Sequence, residues 1–197
     1  MGEATIRLNR IGLERGHLWQ TVLVTVAIVL PMALWTGLER AVGDTTEKLV
    51  PGETITLESY PVSDAKLQFL PPGSGWSAGL NLSRHRIELT RGKVSAIVQV
   101  DTAVTNLRRL LDRRVDRLTT TQPGVEASNV REYRNQINGL EGYRADLYGR
   151  NIAGTIIVVG DNGGAAATVI TIAPAGRLDD STAGADDFLS SFVLSGT

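Results

Sequence analysis

The chain contains two histidines, His17 and His85, and no cysteine, which bounds the chemistry it can do. Disulfides, thiolate metal ligands, thiol nucleophiles and a lipidated N-terminal cysteine are all excluded. His17 stands at the edge of a long apolar run and His85 lies in Ser83-Arg84-His85-Arg86 beside a strand candidate; neither has a partner at ligand spacing. A Ser-His-Asp site would have to use His85, yet no Gly-x-Ser-x-Gly elbow occurs, and Gly73-Ser74-Gly75 reads as a turn after its two prolines. Asp179, Asp180, Asp186 and Asp187 lack the alternating spacing of a calcium loop and suit a solvated loop and a helix N-terminus that favours acid. Gly160-Asp161-Asn162-Gly163-Gly164 lacks the Lys-Ser/Thr that completes a phosphate loop. The expectation is a protein without catalytic residues, cofactor or metal.

One surface feature could bind a partner. Arg109, Arg113 and Arg117 recur every four residues and so project from one side of a helix, where they could meet anionic headgroups or an acidic protein. Asp112 and Asp116 fall on the same side at three- and four-residue steps, and pairing with them would neutralise the face. The whole chain carries 20 basic and 21 acidic residues, with no polybasic signature of nucleic-acid binding.

The helix that would carry these arginines spans residues 102–118, where Val104, Leu107, Leu111, Val115 and Leu118 form an apolar stripe and Asp101 or Thr102 stands ready to cap. Gln122-Pro123-Gly124 ends it. Before it, residues 54–58 and 66–70 alternate as half-buried strands, and 87–90 pairs with 94–100 across Arg91-Gly92-Lys93. After it come strands at 129–137 and 143–148, joined through Asn138-Gly139. The apolar runs 155–159 and 167–172 follow, set up as a tight hairpin about Asp161-Asn162-Gly163-Gly164 and buried on both faces. A loop from 173 to 184 leads to a closing helix at 186–193, capped by Asp186 or a neighbour and packed through Phe188, Leu189 and Phe192. This order predicts an α+β domain with an antiparallel sheet covered by helices.

Residues 18–38 form 21 consecutive uncharged residues, enough at about 1.5 Å per residue to cross a hydrocarbon layer of about 30 Å, with Trp19 and Trp35 near the two interfaces. Ala41-Val42-Gly43 would suit a signal peptidase, but the run is longer than a usual signal core and seventeen residues precede it. The expected layout is a cytoplasmic segment 1–17, a single transmembrane helix 18–38, a tether 39–52 and an extracytoplasmic domain 53–197. The charge bias that orients it is slight: Arg7, Arg10 and Arg15 against Arg40 and Lys48.

Several of these elements resemble one family. A Pro-Gly-Trp element follows an early strand, a helix lies midway, a strand meander carries a Gly-Tyr step at Gly142-Tyr143, and a Phe-containing helix closes the chain. Over residues 53–195 this pattern resembles the PsbP-like fold of photosystem II accessory subunits and of the LpqN-like lipoproteins of mycobacteria. High Ala, Gly, Arg and Val usage is similar to that of actinobacterial envelope proteins. The resemblance carries no catalytic residues. It implies an extracytoplasmic accessory or adaptor module binding another membrane or envelope protein. A separate expectation, not carried by the resemblance, is a carrier for a lipid or other apolar ligand that uses a groove between sheet and helix. LpqN-like proteins are anchored through a lipidated cysteine, so here the apolar helix would have to serve instead.

Overall fold

The computed structural model describes residues 46–59, 63–79, 83–160 and 164–196, the side chains of 177–183 excepted. The chain divides into two units after Thr45, and Thr46–Thr197 is the one described. The expected cytoplasmic segment, His17, the transmembrane helix at 18–38 and the Ala41-Val42-Gly43 site lie outside the described residues. Among the described residues no helix is long and apolar enough to cross a membrane.

The strands are β1 (Thr46–Lys48), β2 (Ile55–Glu58), β3 (Lys66–Phe69), β4 (Ser77–Gly79), β5 (Arg86–Arg91) and β6 (Val94–Asp101), then β7 (Val125–Arg134), β8 (Glu141–Gly149), β9 (Ile152–Gly160), β10 (Ala166–Pro174) and β11 (Val193–Ser195). Helix α1 (Leu107–Thr121) separates β6 from β7, and α2 (Leu178–Ser190) separates β10 from β11. Eight strands form one antiparallel sheet in the order β1-β4-β5-β6-β10-β9-β8-β7; β11-β3-β2 form a second, smaller one.

The apolar runs expected to be central are central. On β9, Ile157 and Val159 face the small sheet and α2, while Ile156 and Val158 face α1, and all four are fully buried. Fully burying one such side chain stabilises by about 1.5–3 kcal/mol, so the two-sided burial of β9 and β10 anchors the fold. The first core closes around Phe188 of α2, whose ring meets Phe69 at 6.0 Å and Trp76 at 5.2 Å. Trp76 is fixed in turn by its indole N–H, which donates to the Pro72 carbonyl at 2.8 Å, and by the Arg91 guanidinium 4.6 Å from its ring. The prolines and Gly73, with φ at +72°, turn the chain so that this carbonyl receives both the indole and Arg91.

Several expectations need correction. The tether at 39–52 is partly folded: Thr46–Lys48 pairs with β4, and the Leu49 amide donates to the Trp76 carbonyl at 3.0 Å. The midway helix begins at Leu107 instead of 102, because Ala103 takes the left-handed φ of +54° and Asn106 caps, its side chain accepting from the Arg109 amide at 2.9 Å. Asp101 and Thr102 are therefore not caps. The closing helix begins at Leu178, inside the expected loop, which puts Asp186 within it and not at its N-terminus; Val193 belongs to β11. Between β9 and β10 five residues separate the last paired positions, Gly160 and Ala166, so the connection is wider than a two-residue turn.

Candidate functional site

Helix α1 packs on β8 and β9 through Leu110, Leu111 and Leu118, which turns its opposite side to solvent. Arg109, Arg113 and Arg117 stand exposed on that side, as their spacing predicted. The expected neutralisation is absent among the described residues. Asp112 engages Arg108, Nε to Oδ1 at 3.2 Å, and no ion pair holds Arg109, Arg113 or Arg117. The helix carries five arginines against two aspartates, and its first turn contains Arg108 and Arg109 but no acid. Positive charge there opposes the helix dipole, so local stability does not account for it.

Beneath the helix lies a residue pair that the periodicity did not reveal. Arg114 falls within the apolar stripe, and its guanidinium reaches Asp101 at the end of β6; both side chains are 13% exposed. Asp101 also accepts from Thr168 Oγ1 at 2.9 Å and from Gln99 Nε2 at 3.2 Å, so three donors engage its two oxygens. An arginine among Leu110, Leu111, Val115 and Leu118 was the signal, because a cation on a packing face needs a buried carboxylate. Two clefts flank the helix and share Arg113. One of about 440 Å³ is lined by Asn106, Arg109, Asp112 and Asp116; the other, of about 250 Å³, by Gln99, Asp101, Arg114 and Arg117.

The remaining sequence candidates do not assemble a site. Ser83 Oγ lies 3.0 Å from His85 Nδ1, but His85 is exposed and no carboxylate orients its ring among the described residues. Among the described residues no group of three His, Asp or Glu side chains could hold a metal ion. Asp186 accepts from Tyr133 Oη at 2.8 Å and from Arg144 Nη1 at 3.2 Å, which ties α2 to β7 and β8. Burial first, and then the hydrogen bond to Asp186, hold the Tyr133 phenol well above its usual range. Because the folded state keeps this proton longer than the unfolded chain, the contribution is complete below about pH 10 and is lost as pH rises beyond it. Tyr133→Phe is expected to cost about 1 kcal/mol at neutral pH and to flatten the alkaline decline. Urea denaturation of both proteins at pH 8 and above 10 checks this, and parallel declines would refute it.

The solution structure of cyanobacterial PsbP (CyanoP) from Synechocystis sp. PCC 6803 matches with a TM-score of 0.51, covering 75% of this chain and 95% of that one at 13% identity. The fold is PsbP-like. At that identity the likeness concerns the PsbP-like architecture alone, and the arginine face of α1 rests on this chain's own residues. No protein-family model matches the sequence, and no curated protein matches it.

Proposed function

We propose that this PsbP-like domain is the extracytoplasmic part of a membrane-anchored accessory or adaptor subunit, non-enzymatic and serving a cell-envelope membrane assembly. In this reading residues 18–38 are the single-pass anchor, the N-terminus is cytoplasmic, and the protein is an actinobacterial counterpart of the LpqN-like proteins. The supporting observation is the arginine row at Arg109, Arg113 and Arg117, exposed, regularly spaced and without carboxylate partners among the described residues. Such a row gives an acidic partner both steering and orientation, and its strength falls with salt. Affinity purification of the full chain from mild detergent tests this. Wild type is expected to bring down a membrane protein that the variant Arg109→Glu, Arg113→Glu, Arg117→Glu releases. Emergence of wild type alone under several conditions would remove the basis for a subunit role. Protease accessibility on intact cells reports the side on which the domain lies.

A second reading, a carrier for a lipid or other apolar ligand, draws on a different feature. A groove of about 470 Å³ runs between β2 and the β1-β4-β5 edge, with Leu49, Ile55, Ala78 and Ile87 on its walls and Glu47 and Arg84 among its polar groups. Its size is that of a small-molecule site. It does not lie between sheet and helix, where the carrier reading expected it, because Leu110, Leu111 and Leu118 close that interface. Native mass spectrometry of the purified protein separates the readings: a carrier retains a bound ligand, and an adaptor is measured at the mass of its chain.

A further inference from the structure

We infer that the smaller cleft beside α1 is a phosphate-binding site, in which Arg113 and Arg117 grip a phosphate group above a floor set by Arg114. The inference goes beyond the docking-face reading and uses two of its three arginines, Arg113 and Arg117. Three guanidinium-bearing side chains line this one concavity of about 250 Å³, and Asp101 is its one carboxylate. That carboxylate is already committed: Arg114, Thr168 and Gln99 all donate to it. Arg113 and Arg117 therefore keep their charge and their donors for a ligand.

The floor is also pre-organised. Arg114 is held by Asp101 and packed in the helix stripe, so it contributes a fixed positive charge without the entropy loss of ordering a free side chain. Its Nε–H is buried and has no acceptor. Shielded and unpaired, it leaves the guanidinium's positive charge incompletely compensated beneath the cleft, where it acts on an anion through space. The number of donors selects the ligand. A carboxylate is satisfied by a single bidentate arginine, whereas a phosphate group offers oxygens on several sides and suits a cluster of guanidinium forks. The cleft is large enough for such a group and too small for a folded acidic surface to enter. The shared chemistry is the phosphate group itself, carried either by a lipid headgroup or by a free phosphorylated solute.

Titration calorimetry on the full chain in neutral detergent tests the assignment. The probes are inorganic phosphate and short-chain phosphatidylglycerol, with short-chain phosphatidylcholine as the zwitterionic control. Binding of at least one of the first two is expected, weakened tenfold or more by Arg113→Gln with Arg117→Gln and unchanged by Arg108→Gln, whose side chain is engaged with Asp112 and lies 5.8 Å from the Tyr143 ring. Phosphatidylglycerol binding without phosphatidylcholine binding identifies a headgroup as the source; inorganic phosphate binding alone identifies a solute. A shift of the Arg114 Nε–H resonance on titration gives a second readout that does not depend on affinity. Lack of binding by both anionic probes at millimolar concentration, or binding that survives the double substitution, overturns the site. Arg113 and Arg117 are exposed, so their replacement leaves folding intact, which circular dichroism verifies. If charge reversal releases a membrane partner while neither anion binds, the cleft assignment falls and the adaptor reading stands. If an anion binds and no partner is captured, the reverse holds.

Discussion

Replacing Gly142 with alanine is expected to destabilise the domain by about 3 kcal/mol or more, lowering its melting temperature by roughly 6–12 °C. Gly142 lies on β8 directly opposite Val159 of β9 and Tyr133 of β7. A methyl group there would overlap the Val158 carbonyl oxygen and sit 2.8 Å from its carbon and 2.9 Å from Val159 Cα. All three are backbone atoms of a strand buried on both faces, so no side-chain rotation relieves the clash. Relief would require β8 to move off β9, and β8 and β9 carry the surface on which α1 packs. Gly139→Ala is the matched control. Gly139 takes φ of +72° with nothing near its missing Cβ, so the substitution meets only left-handed backbone strain of about 1–2 kcal/mol. Urea denaturation followed by circular dichroism measures both, and a Gly142→Ala protein as stable as the Gly139→Ala one would refute the close approach.

How far the fold was legible depended on whether a segment's own pattern or its partner holds it in place. β9 and β10 were legible because burial on two faces demands an unbroken apolar run, and few other segments of this chain carry one. β1, β4 and β11 have three residues each, too few to show alternation, and exist because β4, β5 and β3 respectively offer them backbone partners. The early turns of α2 were hidden by Ser181, Thr182 and Gly184, poor helix formers whose preference is overridden by packing of Ala185, Phe188 and Leu189. Its C-terminal end is closed from a distance by Asn138, whose amide donates to the Leu189 carbonyl at 2.7 Å and the Phe192 carbonyl at 3.1 Å. The arginine row was legible because it follows helical spacing. The loss of its expected neutralisation was not: Arg108, one residue outside the row, takes Asp112. The Asp101–Arg114 pair joins positions thirteen residues apart across a turn at Ala103, and no local period encodes that geometry.

Asp101→Ala is expected to have an effect of similar size, about 3–5 kcal/mol, for an electrostatic reason. Its partner Arg114 is only 13% exposed, so removing the carboxylate leaves a cation in the packing face of α1 with little water to solvate it. Thr168 and Gln99 lose their acceptor in the same step. The exposed pair Arg108–Asp112 provides the contrast: at 47% and 53% exposure its loss in Asp112→Ala is expected to cost well under 1 kcal/mol. A second variant separates charge burial from simple loss of contacts. Replacing both partners, Asp101→Leu with Arg114→Met, removes the stranded cation and is expected to regain most of the stability that Asp101→Ala loses. The double variant also abolishes the fixed charge at the cleft floor while keeping Arg113 and Arg117, so a folded protein with weakened phosphate binding is the expected result. If Asp101→Ala melts within about 2 °C of wild type, the pair is solvated in solution, and the pre-organised floor on which the phosphate site depends does not exist.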